Sequence, residues 1–184
     1  IARNLSAASS SIDQKLAEAL NIWSRASDLG QWQKIVKRIK EPEHKTRIGI
    51  VGKYVDLQES YKSLNEALLH GGIANNSRVQ LKFIDSELLK REDVEKELGD
   101  CDGLLVPGGF GERGIEGKII AIEYARTKMV PFFGICLGMQ MMAVEFARNV
   151  CGLKDDNSTE FNESTKAPIV IFMVKTASNL WKLS

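Results

Sequence analysis

Residues 131–140 read PFFGICLGMQ. PFFGI (131–135) is a short apolar run of the kind that forms a buried strand, and LGMQMMAVEFARNV (137–150) has the length and spacing of a helix. Only Cys136 stands between them. A strand that turns straight into a helix is the repeating step of an α/β sheet, so the flanking sequence should alternate in the same way. From Arg47 onward it does. RIGIV (47–51) is a β-branched run, and SYKSLNEALLHGG (60–72) is an amphipathic helix with a glycine stop. VQLKFID (79–85) alternates as a half-buried strand, and SELLKREDVEKEL (86–98) reads as a polar-faced helix. GLLV (103–106) is a fully buried strand, and EGKIIAIEYARTKM (116–129) is the helix that follows it. The pattern predicts an α/β fold, a mostly parallel sheet with helices on both faces. Ligands of such sheets sit at the carboxyl ends of the strands, where PGGFGERG (107–114) and GICLG (134–138) fall.

The first 45 residues have a different rhythm. Ile12, Leu16, Ala19, Leu20 and Trp23 recur at helical spacing behind Ser10 and Ser11, and Trp32, Ile35, Val36 and Ile39 form a second pattern that Pro42 stops. EPEHKT (41–46) then marks a boundary, which makes 1–45 a short helical tail or linker and 46–184 the main domain. With 184 residues, 43% hydrophobic and 27% charged, the chain can bury a real core. Its 25 basic and 24 acidic residues leave a formal charge of +1, which calls for neither nucleic acid nor an anionic membrane as partner. No apolar run reaches transmembrane length. Cys101, Cys136 and Cys151 lack metal-ligand spacing, so no metal site is expected, and free thiols suit a cytoplasmic compartment.

Gly134-Ile135-Cys136-Leu137-Gly138 has the form G-x-C-x-G, the cysteine version of a nucleophile elbow. The turn lifts the sulfur above the sheet at the N-terminus of the next helix, whose positive end favours the thiolate. The Leu137 N–H then faces a developing oxyanion, and the Gly108-Gly109 pair offers a second donor from a neighbouring strand end. The alternative is an inert buried cysteine. Cys101 and Cys151 have no such setting and read as structural. Gly109 to Gly114 also fits G-x-G-x-x-G after a strand, so a dinucleotide site competes there, although the first strand of the domain carries no such loop. GKY (52–54) is too short for a phosphate loop. His70 reads as a C-terminal helix cap and His44 as a linker residue.

LLVPGGFGERGIEGKIIAIEYA, PFFGICLGMQMMAVEFARNV and NSTEF (157–161) together closely resemble the glutamine amidotransferase domain of the CTP synthase family, as do VGKYVDLQESYKSLNEALLHGG (51–72) and FIDSELL (83–89). The likeness covers roughly residues 28–168. It implies that Cys136 is the nucleophile that attacks the side-chain amide of L-glutamine, and that Gly109 and Leu137 serve the oxyanion. It also implies that Gly109, Leu137, Gly138, Met139 and Gln140 bind glutamine, with Glu160 holding its α-ammonium group. Ammonia would pass to a synthetase domain, a partner in which ATP and Mg support conversion of UTP to CTP. This chain itself is expected to carry no cofactor, and the parent is expected to be a homo-oligomer.

The departures matter as much. The family's catalytic His and Glu lie in a late H-P-E-like segment, and this chain has no histidine after His70. Two readings stay open: the glutaminase part of a larger CTP synthase, or a truncated homologue that binds glutamine or docks to a partner without hydrolysing it.

Overall fold

A computed structural model describes residues 15–16, 19–21, 29–53, 58–109, 111–154, 157–159, 165 and 168–170. It divides into two compact units, one of residues 1–46 and 63–79, the other of residues 47–62 and 80–184. Among the described residues no helix is long and apolar enough to cross a membrane.

In the smaller unit, α1 (Gly30–Lys40) ends two residues before Pro42, as read. Of the helix expected further upstream, Ile12 and Trp23 lie outside the described residues. Leu16 and Leu20 close one helical turn, with Leu20 N–H donating to the Leu16 carbonyl at 2.9 Å. Following β1 (His44–Gly52) and a 3-10 turn (Gln58–Tyr61), α2 spans Lys62–Ala74. The expected glycine stop is a correction: α2 runs through Gly71 and Gly72. A Cβ on Gly72 would lie 2.6 Å from Val79 Cγ2 and 2.7 Å from the Ser77 carbonyl, so the glycine serves close packing. Nor does His70 cap the helix. Its last carbonyls accept from Arg38, at 3.1 Å for Ala74, and from Asn75 Nδ2, at 2.8 Å for Gly71.

The larger unit holds a four-stranded sheet in the order β2–β1–β3–β4, with β2 at Ser77–Asp85, β3 at Gly103–Val106 and β4 at Phe132–Gly134. β3 pairs in parallel with both neighbours, Ile48 opposite Gly103 and Val106 opposite Gly134. Because the chain steps from β1 to β2 on one side and to β3 on the other, the carboxyl ends of β1 and β3 flank the topological switch point. Val51, Leu104, Val106, Ile119, Ile122, Leu137, Met141 and Val144 are among the core residues shared by the sheet and its helices α4 (Ile115–Lys128) and α5 (Leu137–Asn149). A charged staple joins those helices. Arg126 grips the fully buried Glu145 carboxylate through Nε at 3.1 Å and Nη2 at 2.8 Å, and Asn149 Nδ2 donates to the same group at 3.1 Å.

Two further expectations are corrected. Of 86–98, only α3 (Val94–Leu98) is helical. Asp85 accepts the Glu87 N–H on its side chain at 2.8 Å and the Leu89 N–H on its carbonyl at 3.2 Å, which closes a turn instead of starting a helix. PFFGI forms a strand, but Phe133 is 63% exposed. β4 pairs only with β3 among the described residues and is the edge of this sheet. An apolar run has the same sequence at an edge as at the centre.

Lys118, in the first turns of α4, is 2% exposed. Burial first, and the charge of Lys53 second, lower its ammonium from the usual lysine range to about 8. An unfolded chain keeps that proton to above about pH 10, so stability attributable to this group rises with pH between those values. Burial pushes the Cys101 thiol up to about 11, which acts in the opposite sense because the unfolded thiol loses its proton first. Comparing Lys118→Met with the unmodified chain cancels the cysteine. The variant should be more stable by roughly 2 kcal/mol at neutral pH, with an advantage that shrinks towards pH 10. Denaturant titrations across that range check it, and a pH-independent difference would reject burial of a charge as the cause.

Candidate active site

The elbow is built by close approach. Val106, at the end of β3, offers its carbonyl to the Ile135 N–H at 2.9 Å. A Cβ on Gly138 would lie 2.2 Å from that same oxygen, and a Cβ on Gly134 would lie 2.6 Å from the Gly138 carbonyl carbon. No side chain fits at either position, so the glycines on both sides of the cysteine follow from packing. The Gly138 N–H donates to the Ile135 carbonyl at 2.9 Å, and the Gln140 N–H to the Cys136 carbonyl at 3.1 Å, which is the first bond of α5. Cys136 is left at φ 50° and ψ −103°, a region that side chains rarely adopt. Its neighbours Leu137 and Gly138 are buried, yet Cys136 is exposed. It is therefore not an inert core thiol. The core thiol is Cys101, buried among Val51, Ile84 and Leu104. Cys151 is exposed at the end of α5, so it has no buried structural role.

The structure brings the second oxyanion candidate to the first. A Cβ on Gly108 would stand 3.6 Å from Cys136 Cβ, and one on Gly109 would stand 3.4 Å from Leu137 Cδ2. The Leu137 N–H belongs to the first turn of α5, where amides lack intrahelical acceptors and the helix dipole is positive. The loop that carries Gly108 and Gly109 thus packs against Cys136 and Leu137. Met139 is 55% exposed on the outer side of α5. Gln140 Oε1 accepts from the buried Ser158 hydroxyl at 3.5 Å. Ser158 belongs to β5 (Asn157–Ser158), which pairs with β6 (Pro168–Val170), and the Thr159 N–H donates to the Val170 carbonyl at 2.9 Å. Glu160 lies outside the described residues, one position beyond this anchor.

The competing G-x-G-x-x-G reading loses its cradle. A Cβ on Gly114 would lie 2.3 Å from Ser86 Oγ, and one on Gly117 would lie 1.9 Å from the Ser86 carbonyl. Ser86 fills the N-terminus of α4, where a pyrophosphate would sit. The sequence gives Lys53, Ser86 and Ser158 no role of their own, although GKY (52–54) and NSTEF (157–161) contain two of them. The signal for Lys53 was its place, a charge directly after a buried strand at the switch point.

The profile of the class-I glutamine amidotransferases matches residues 56–172. Among curated relatives, CTP synthase of Trichlorobacter lovleyi is 58% identical over 168 residues, which is 91% of this chain and 31% of that protein. CTP synthase of Geotalea uraniireducens is 59% identical over 163 residues, 88% of this chain and 30% of that one. The chain therefore spans about a third of the length of these relatives. The solved glutaminase domain of Trypanosoma brucei CTPS with bound acivicin superposes with a TM-score of 0.66 at 41% identity, over 70% of this chain and 50% of that one.

Strain at the nucleophile position has a measurable consequence. Backbone outliers of this kind cost on the order of 1–3 kcal/mol, and glycine relieves them. Cys136→Gly should raise stability by about 1 kcal/mol in denaturant, after the extra chain entropy of glycine is subtracted. Cys136→Ala should bring no such gain. Equal stability of the two variants would show that the positive φ is not strained.

Proposed function

The chain belongs to the class-I glutamine amidotransferase family, and we propose that it is the glutamine-hydrolysing part of a CTP synthase. In this reading the Cys136 thiolate attacks the side-chain amide carbon of L-glutamine. The carbonyl oxygen takes the negative charge and is met by the N–H groups of Leu137 and Gly109. Collapse breaks the carbon–nitrogen bond, ammonia leaves with an added proton, and water then hydrolyses the thioester to glutamate and free thiol. Gly138, Met139 and Gln140 line the glutamine site, and Glu160 pairs with the α-ammonium group.

One observation carries the proposal. An exposed cysteine is held in a strained conformation at a helix N-terminus, beside a glycine pair from a second strand end. Strain of this kind persists only where the surroundings over-determine it, and it clusters at active sites.

Residues 1–45 are read as a tail from the synthetase side and 46–184 as amidotransferase. The parent is a cytoplasmic homo-oligomer, whose synthetase domain takes up the ammonia to convert UTP to CTP with ATP and Mg. The larger unit contains no histidine, because both of the chain's histidines, His44 and His70, fall in the smaller one. The reading assigns the His and Glu partners to a part of the parent beyond these 184 residues. Coverage of only half of the trypanosomal glutaminase domain supports that. The same lack of a histidine favours the second reading, a homologue that binds glutamine or docks to a partner without turnover.

Without a proton donor for ammonia or a base for deacylation, this chain alone should release ammonia from glutamine orders of magnitude more slowly than a full-length relative. A glutamine-shaped diazoketone, 6-diazo-5-oxo-L-norleucine, should nevertheless label Cys136 in preference to Cys151, which is exposed as well, and glutamine should protect it. Peptide mass spectrometry reads both. Labelling of Cys151 instead would reject the nucleophile assignment, and brisk ammonia release abolished by Cys136→Ala would mean that another base serves.

A further inference from the structure

We propose that Lys53 is a positioning residue for glutamine hydrolysis, tying the carboxyl end of β1 to the loop that carries Gly108 and Gly109. The inference rests on the amidotransferase reading above.

Lys53 directly follows β1, and its ammonium donates to the Gly111 carbonyl at 3.2 Å. The residue before it prepares the contact. A Cβ on Gly52 would lie 2.6 Å from Tyr61 Oη and 3.4 Å from Pro107 Cγ, so the strand end lies directly against the first residue of the loop. The end of β1 thus touches the loop at Pro107 and holds it again at Gly111. Gly108 and Gly109 fall between those two points.

The loop needs a restraint from outside. It carries glycines at 108, 109, 111 and 114, two of them at positive φ, 77° for Gly111 and 74° for Gly114. Glycine has little conformational preference, and fixing each residue opposes order by about 1–2 kcal/mol. Its ends are fixed, at one side by β3 and at the other by Gly114 pressed against Ser86. The Lys53 bond and the exposed ion pair of Arg113 with Glu87, at 3.6 Å, are polar contacts that reach the stretch between. The Lys53 bond is the nearer of the two in sequence to Gly109. The buried Lys118 repels Lys53, which disfavours retreat of the Lys53 ammonium towards α4 and away from the Gly111 carbonyl.

An oxyanion donor works only within hydrogen-bond distance of the place where charge develops. Loosening the loop should therefore slow reactions that use the Gly109 amide and spare those that do not. The diazoketone presents its ketone oxygen where the amide oxygen of glutamine would lie. Iodoacetamide alkylates the same sulfur with no need of the loop.

Lys53→Met should lower the rate of Cys136 labelling by the diazoketone about tenfold, the order expected for losing a charge-assisted hydrogen bond. Its iodoacetamide rate at Cys136 should stay unchanged, and its melting temperature should not fall, because the repulsion with Lys118 is relieved. Lys53→Arg, which keeps a donor, should recover most of the loss. Amide exchange at Gly109 and Gly111 should quicken in the methionine variant alone. Equal diazoketone rates in the variant and the unmodified chain would overturn the inference, as would equal slowing with both reagents or an arginine variant no better than methionine. Failure of the unmodified chain to prefer the diazoketone at Cys136 would instead overturn the amidotransferase reading, and the Lys53 role with it.

Discussion

The carbonyl of Val106 is the point on which the site turns. It accepts the Ile135 N–H at 2.9 Å while the α-carbon of Gly138 packs against it so tightly that a Cβ would come within 2.2 Å. One oxygen thereby sets the register of β4 beside β3 and the height of α5 above the sheet. With both fixed, the chain must pass from strand to helix in a single residue, and that residue is Cys136. The positive φ and the exposure of its side chain follow from this approach, as does the requirement for glycine at 134 and 138. Cooperative packing of this kind is how a folded domain sustains a strained residue at its reacting centre.

Holding α5 that close requires the helix to be secured elsewhere. The core side chains Leu137, Met141 and Val144 are fully buried beneath it. The Arg126–Glu145–Asn149 cluster then fixes its rotation against α4. Such a buried pair adds little net stability, because desolvation offsets the attraction. Its two parallel N–H donors are nevertheless directional, and an aliphatic pair of equal volume would not specify the same orientation. Lys118 shows the opposite case in the same helix: a buried ammonium whose proton is loosened by burial and by a second lysine. The two charges on α4 thus do different things, one orienting a helix and the other lowering stability at the buried start of α4.

What the sequence revealed and what it concealed divide along physical lines. The elbow was legible because its determinants are adjacent: two glycines, a cysteine, an apolar run before and a helical pattern after. Strand β3 was legible because it is buried on all sides. The helix expected over 86–98 failed because Asp85 can satisfy the Glu87 N–H locally, and the helical spacing of Leu88, Leu89 and Val94 does not report that competition. Gly71 and Gly72 read as a stop because glycine's backbone freedom is a sequence property, whereas the approach of Val79 that requires Gly72 is a tertiary one. The exposure of Phe133 and the roles of Ser86 and Lys53 depend on which strands become neighbours, and that order is absent from any local window.

The two halves of the site are consequently of unequal stiffness. The elbow takes its geometry from contacts between backbone atoms at the limit of approach, and it can move only if the sheet does. The facing loop is glycine-rich where it meets Cys136 and Leu137, and its described residues, 107–109 and 111–114, form neither helix nor strand before α4 begins. Side chains from other elements must supply what its own backbone lacks. Lys53 does so from the end of β1. On the other flank, the Ser158 hydroxyl of β5 donates to Gln140 Oε1. Under the proposed amidotransferase reading, substrate would enter between the two flanking segments while the elbow holds the Cys136 sulfur in place. In that reading, recognition of the glutamine head group and stabilisation of the oxyanion rest on groups that can be tuned without rebuilding the sheet.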